Sequence, residues 1–110
     1  MANTFKRKLS SSIGNVANAI GSYTVAGATT TVVIGLTVTN TTGSAIAANV
    51  YINNGSANTS LIVNAPISAG ASLVLVGGDQ KLVLESGDSV YVQSSVASSA
   101  DAVMSIMEIT

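Results

Sequence analysis

The sequence predicts an all-β fold, a single antiparallel β-sandwich with an N-terminal extension, from three observations. Apolar and polar residues alternate with the period of two that is typical of half-buried strands. Val, Ile and Thr, which favour extended backbone, fill these stretches. Clusters of Asn, Gly and Ser interrupt them at short intervals, as in sandwiches and barrels. At 110 residues the chain suits one domain with one thin core.

The clearest predicted strand covers residues 31–39, in which Val32, Ile34, Leu36 and Val38 alternate with other residues and are expected to share one face. After a turn at Thr41–Gly43, a second strand is predicted over 48–53. Asn53–Ser56 is a strong turn signal, because Asn and Gly tolerate positive φ.

Further strands are predicted at similar spacing in the second half of the chain. A strand at 60–63 ends near Pro66, which has no N–H for a ladder and therefore belongs at an edge or in a turn. The run 73–76 is broken by Gly77–Asp79. Residues 81–85 and 89–94 are predicted to form a hairpin, and 102–109 the last strand. These alternations leave the strand order open between a Greek key and a jelly roll.

Residues 1–20 are predicted to form an N-terminal arm, and residues 21–110 the sandwich. The arm carries three of the four basic residues of the chain. We expect it to leave the sandwich and to dock on an acidic neighbouring subunit, since it is too polar to repay its own ordering cost. The alternatives are a solvated, flexible end and a weak DNA contact. The candidate partner-binding residues are Phe5, Lys6, Arg7, Lys8 and Leu9.

The composition argues against enzyme chemistry. Only 8% of the residues are charged, and the chain has no His and no Cys. From Leu9 to Gly78 there is no Asp, Glu, Lys or Arg either. Acid–base and nucleophilic catalysis need a titratable group in a cleft, and metal sites usually need His or thiolate ligands. We therefore expect no catalytic residues, no cofactor and no metal.

Nucleic acid and membranes are not expected as partners. A net charge of −1 gives no basic footprint for nucleic acid. The longest apolar run, residues 32–36, is far shorter than the roughly 20 residues of a membrane-spanning helix. Residues 9–15 are too polar for the hydrophobic region of a signal peptide, so no cleaved signal is expected.

The carboxylates and the Asn-rich motifs have ordinary structural explanations. Asp79 and Asp88 follow Gly in turns, where Asp commonly accepts from backbone N–H groups. A calcium site is the weaker alternative, because the spacing matches no EF-hand loop. Asn40–Thr42, Asn54–Ser56 and Asn58–Ser60 match the glycosylation acceptor pattern, as chance predicts in a chain rich in Asn, Ser and Thr.

Six segments give the chain a resemblance to known proteins. They are Asn3–Lys6, Tyr23–Gly27, Thr31–Asn40, Asn64–Gly70, Gly77–Asp88 and Ser105–Ile109. In pattern and order they resemble small β-rich virion structural proteins of tailed bacteriophages, especially those that infect marine cyanobacteria. The resemblance covers most of the chain and contains no catalytic motif.

The resemblance implies a non-enzymatic part of a virion, either a capsid decoration or cement protein or an accessory protein of the neck or tail. Its expected partners are further copies of itself and other virion proteins, such as the major capsid protein. We expect a homo-oligomer, a trimer if it caps threefold positions, with Val33, Val74 and Val76 among its outward, interface residues. The alternative is a carbohydrate- or receptor-binding module, at a fibre tip or in an adhesin, centred on Tyr51 or Tyr91.

Overall fold

Two antiparallel sheets pack face to face in the computed structural model of the protein, which confirms the predicted β-sandwich. The structure describes residues 2–77 and 79–110. Gly78, in the predicted turn 77–79, and Met1, at the start of the predicted arm, lie outside the described residues.

The described chain contains nine strands and one short 3-10 helix. They are β1 (Asn3–Ile13), β2 (Asn18–Ala19), the 3-10 helix (Ile20–Ser22), β3 (Thr30–Asn40), β4 (Ile46–Asn53), β5 (Asn58–Ile67), β6 (Ser72–Val76), β7 (Leu82–Leu84), β8 (Ser89–Ser94) and β9 (Ala100–Ile109). The front sheet has the order β1-β9-β3-β6, with β7 also paired to β3. The back sheet has the order β2-β8-β4-β5.

The pairing identifies the fold as a jelly roll. Strands β4 and β5 form the inner hairpin, and around it β3 pairs with β6 and β7, β2 with β8, and β1 with β9. Nested antiparallel pairs of this kind, wrapped so that successive pairs fall in alternate sheets, are the jelly-roll arrangement. This resolves the strand order that the sequence pattern left open.

Strand β3 lies where it was predicted, but a bulge changes which residues it buries. The register between β3 and β9 shifts between Val33 and Gly35, so Ile34 is an extra residue in β3. Before the bulge Val33 is buried, and after it the buried positions are Leu36 and Val38. The expectation that Val32 and Ile34 share a face with Leu36 and Val38 is therefore wrong, because one extra residue flips every side chain beyond it.

The hairpin between β4 and β5 confirms the turn signal. Gly55 has a φ of 97°, and the Asn54 side chain accepts from the N–H groups of Ser56 and Ala57 at 3.0 and 2.8 Å. Strand β5 is an edge of the back sheet, which accommodates Pro66 as predicted.

The predicted hairpin between residues 81–85 and 89–94 is wrong. Strand β7 pairs with β3 in the front sheet, whereas β8 pairs with β2 and β4 in the back sheet. The turn at Ser86–Asp88 therefore carries the chain from one sheet to the other. Alternation and turn residues look the same in both cases, because the winding of a jelly roll is a tertiary property.

The N-terminal segment is placed differently from the expected arm. Strand β1 lies along β9 at the edge of the front sheet, with Asn3 opposite Ile109 and Ser10 opposite Ala102. Ile13 is the only residue of β1 that is fully buried. Backbone pairing holds this strand more than burial does, so its hydrophobicity pattern gave little sign of it. The division of the chain at residue 20 stays a prediction.

The core lies between the sheets and is mainly aliphatic. Ile20, Leu36, Leu84, Met104 and Ile106 are its largest fully buried side chains. One buried polar residue, Asn40, joins three backbone carbonyls: its amide donates to Ser44 O, Ile67 O and Ser68 O at 2.7 to 3.2 Å. Because Asn40 is fully buried, its glycosylation motif is not accessible to a modifying enzyme.

Candidate assembly interface

The described residues contain no group of three or more Asp, Glu, His or Cys placed to hold a metal ion. Two of the carboxylates accept hydrogen bonds from backbone N–H groups instead. Asp88 accepts from the Glu85 N–H at 2.9 Å, and Asp101 accepts from the Ser12 N–H at 3.1 Å. Each of these two carboxylates thus stabilises a turn or a bulge.

Among the helices of residues 2–77 and 79–110, none has the length and apolar character to cross a membrane.

The outward side of the front sheet, here called the outer front face, carries more than half of the large exposed apolar side chains of the described residues. Five of the large apolar side chains that are exposed to solvent lie on it. The face is made by Phe5, Arg7, Leu9, Val32, Thr37, Val74, Val83, Asp101, Val103, Ser105 and Met107. Exposed apolar surface of this kind is typical of interaction sites, so this face is the candidate interface.

Strand register brings these side chains together. Opposite residues of an antiparallel pair project from the same face. Phe5 therefore lies beside Met107, and Leu9 lies beside Val103, in neighbouring strands. Phe5 is 71% exposed and Val103 46% exposed, although Val103 is in the middle of a central strand. Neighbouring side chains therefore cover the flanks of Val103, whereas its outward surface is open to solvent.

Farther across the same face, Val83 of β7 lies opposite Val32 of β3, and Val74 of β6 lies opposite Thr37. Of the three residues expected to face outward, only Val74 does so. Val33 and Val76 are buried in the core. The bulge in β3 accounts for the burial of Val33, and a second register shift, between Val74 and Val76 of β6, accounts for the burial of Val76.

The predicted partner-binding residues divide between the two sides of β1. Phe5, Arg7 and Leu9 belong to the outer front face. Lys6 and Lys8 lie on the opposite side and have partners within the chain. The Lys6 ammonium is 2.8 Å from a Glu108 carboxylate oxygen, and the Lys8 ammonium lies 4.9 Å from the centre of the Tyr23 ring. Alternation along a strand explains the division.

A polar network surrounds Glu108. The Tyr23 hydroxyl donates to Glu108 Oε2 at 2.6 Å and lies 2.7 Å from the Thr31 hydroxyl, which then donates to it. The hydrogen bond from Lys6, followed by that from Tyr23, lowers the pKa of Glu108. Burial, followed by the hydrogen bond to Glu108, raises the pKa of Tyr23 to about 12. Both shifts favour the state with an ionised carboxylate and a neutral phenol, which is a structural rather than a catalytic arrangement.

The structure brings Tyr51 and Tyr91 together on the outward side of the back sheet. They are directly opposite in β4 and β8, and their rings are stacked with centroids 5.4 Å apart and planes 10° apart. Asn49 and Gln93 form the next pair along the same strands on that side. The sequence singled out each tyrosine but gave no sign that they form one pair, because their pairing depends on long-range register.

Two hollows border these surfaces. One, of about 260 Å³, lies beside Leu9, Val103 and Asp101 on the outer front face. The other, of about 230 Å³, lies between β5 and the β6–β7 edge, where Leu61, Leu73 and Leu82 are among its lining residues. The first hollow adjoins the apolar face, whereas the second follows the seam between the two sheets.

Comparison with known proteins shows the fold and no family. No protein-family model and no curated protein matches the chain. Among solved structures, it is similar to a protein of Bacillus endospore appendages, described as a novel family of disulfide-linked pili, with a TM-score of 0.58 and 13% identity over 99% of this chain and 87% of that chain.

Two weaker likenesses are to viral proteins. A pentameric capsid protein from metagenomic phage sequences has a TM-score of 0.41 and 20% identity over 96% of this chain and 59% of that chain. The extra small virus VLP of the prawn Macrobrachium rosenbergii has a TM-score of 0.48 and 9% identity over 100% of this chain and 81% of that chain.

Proposed function

We propose that the protein is a non-enzymatic structural subunit of a tailed-phage virion, which works through contacts with other subunits. The outer front face is the observation that carries this proposal. It exposes Phe5, Leu9, Val74, Val83 and Val103 on one side of one sheet, and such a surface is stabilised when another protein covers it. The charge-poor body adds to this, since uncharged hydroxyls and amides cost less to desolvate than charges.

Within the virion, the protein is a capsid decoration or cement protein, or an accessory protein of the neck or tail. Its partners are further copies of itself and neighbouring virion proteins, such as the major capsid protein. The sequence resemblance to virion structural proteins supports this set of roles. The jelly-roll fold agrees with it but does not distinguish it from a lectin, because viral capsid and lectin domains share that fold.

Contacts between subunits involve no disulfide bonds under this proposal. The Bacillus pilus proteins of similar fold are described as disulfide-linked, but this chain has no Cys. Strand β1 contributes Phe5, Arg7 and Leu9 to the contact, while Lys6 and Lys8 fasten that strand to the sandwich through Glu108 and Tyr23.

Immunolabelling of purified virions tests the proposal. An antibody raised against the recombinant protein should bind intact or gently opened particles, and mass spectrometry should find many copies per particle. A preparation depleted of particles by centrifugation serves as the control. Particles that contain no copies of the chain would contradict the proposal.

The stacked tyrosines favour carbohydrate or receptor binding as a second candidate function. Aromatic rings beside amide side chains, here Asn49 and Gln93, offer both a flat apolar surface and hydrogen-bonding groups. Glycan-array binding that is lost in Tyr51→Ala and in Tyr91→Ala, but is kept in Tyr51→Phe, would support this function. Absence of binding by the unmodified protein would contradict it.

A further inference from the structure

We infer that the outer front face binds a second copy of this chain through a two-fold axis that crosses the strands at the level of Leu9 and Val103. This inference rests on the proposed function and specifies one of its subunit contacts. It names the surface, the occupant and the residues that set the relative position of the two copies. This isologous pair differs from the trimer that was expected if the protein caps threefold positions.

The size of the face fits a specific interface. Strand β9 has 10 residues, which corresponds to a length of about 33 Å. Four strands side by side, at about 4.8 Å each, are roughly 19 Å wide. Face-to-face contact would therefore cover on the order of 600 Å² per copy, or about 1,200 Å² in total, which exceeds the ~1,000 Å² expected of a biological contact.

The charges on this face make it complementary to itself. The outward positions of β1 and β9 carry one cation, Arg7, and one anion, Asp101. Arg7 lies opposite Ser105, two residues from Val103 toward one end of the strand, and Asp101 lies two residues from Val103 toward the other end. Within the described residues, Arg7 makes no ion pair of its own.

A two-fold axis midway between these charges brings them together across the interface. Rotation about an in-plane axis that crosses the strands at Val103 reverses position along the strands but preserves position across them. Arg7 of one copy then lies over β1 of the other copy, at the level of Asp101. Asp101 is in the adjacent strand, within reach of a long side chain. Because the contact is isologous, each pair forms twice.

The shape of the surface agrees with this placement. The hollow of about 260 Å³ is lined by Leu9, Ser10, Asp101 and Val103, among others. It therefore lies where the Arg7 side chain of the second copy approaches Asp101, and its apolar wall suits the aliphatic stem of an arginine. The outward side of the back sheet has no such arrangement, since its central strands present Asn49, Tyr51, Tyr91 and Gln93.

Sedimentation velocity on the full chain tests the inference at several concentrations. We expect a dimer of the unmodified protein. Val103→Asp should weaken dimerisation by about a hundredfold or more, because it buries two carboxylates in an apolar contact. The matched control is Val63→Asp: Val63 is 64% exposed, in strand β5 of the back sheet, and its substitution should leave the dimer unchanged. Phe5→Ser, at a highly exposed site, provides a second weakening variant if Val103→Asp fails to fold.

A charge exchange tests the symmetry itself. Arg7→Glu and Asp101→Arg should each weaken the dimer by about tenfold, because each places like charges together twice. The double variant should restore the affinity to within about threefold. A monomer at all concentrations, a dimer that depends on Val63 rather than Val103, or a double variant that fails to recover would overturn the inference. If the antibody labels virions but the protein is a monomer, only this inference is overturned. If the protein dimerises but is absent from virions, only the proposed function is overturned.

Discussion

The Lys6 ammonium lies 2.8 Å from Oε1 of Glu108, and this ion pair joins the first strand of the protein to the last. Tyr23 donates to the other oxygen of the same carboxylate at 2.6 Å. Two of the three residues in the basic cluster therefore stabilise the edge of the front sheet. Arg7, between them in sequence, lies on the opposite side of the strand, on the outer front face.

The Lys6–Glu108 pair predicts acid sensitivity. The pKa of Glu108 is lowered in the folded protein, so its ionisation stabilises the fold above the unfolded pKa of about 4.3, and this stabilisation is lost as the pH falls through the lower folded value. We expect the difference in unfolding free energy between the protein and Glu108→Gln to shrink as the pH falls below about 4. Urea denaturation from pH 7 to pH 3 measures it. Glu85→Gln, at an exposed turn, is the control; equal behaviour of the two variants would contradict the prediction.

Ionisation of the Tyr23 phenol is expected to reduce the stability of the protein at high pH. Its pKa is raised to about 12 in the folded protein, mainly by burial. The unfolded phenol ionises near pH 10, so stability from this group is complete below about pH 10 and is lost as the pH rises toward 12. Tyr23→Phe should be less stable at pH 7, since Glu108 loses a donor, but should depend less on pH between 10 and 12. Denaturant titrations over that range test this, and parallel pH profiles of the two proteins would count against it.

Deletion of residues 1–12 tests the status of the N-terminal segment. A free arm predicts an unchanged melting temperature, whereas the pairing of β1 with β9 predicts a lower one. From the structure we expect a decrease of about 8 °C or more, which corresponds to about 1–2 kcal/mol for a domain of this size. The loss includes the Lys6 partner of Glu108 and the hydrogen bond from Gly21 N–H to Ser10 Oγ, 2.8 Å long. Differential scanning calorimetry gives the answer, and an unchanged melting temperature would support the arm.

Substitution of Asn40 is expected to lower the unfolding free energy strongly. Its side chain is fully buried, donates to three backbone carbonyls and accepts from the Thr42 N–H. Asn40→Ala should reduce the unfolding free energy by about 2–4 kcal/mol, because buried carbonyls lose their donor. Asn40→Asp should cost more, since a carboxylate would face those same carbonyls. Asn18→Ala, at an exposed position, is the control, and urea denaturation is the measurement. A change below about 0.5 kcal/mol at Asn40 would contradict this account.

Local chemistry allowed much of the fold to be predicted from the sequence. The turn at Asn53–Ser56 depends on backbone conformations that Asn and Gly favour, and β-branched alternation located the interior of β3, β4, β6, β8 and β9. The edge position of Pro66 follows from its missing N–H. Each of these features is decided within a few residues of chain.

Long-range features were harder to predict for physical reasons. Most residues of strand β1 are polar, and the strand is held by pairing with residues about a hundred positions away. The extra residue Ile34 in β3 has no composition signal, yet it decides that Val33 is buried. The outer front face and the Tyr51–Tyr91 stack both require the register of strands that are distant in sequence. The residues of the candidate interface are therefore neighbours in the folded sheet but not in the sequence.

A cryo-electron microscopy map of the virion tests the proposed subunit contact, because it shows both the presence of the protein and the surface that it buries. We expect many symmetry-related copies of the sandwich, with Phe5, Leu9 and Val103 covered by another subunit. A map without this chain, or one in which the outer front face of every copy is open to solvent, would contradict it.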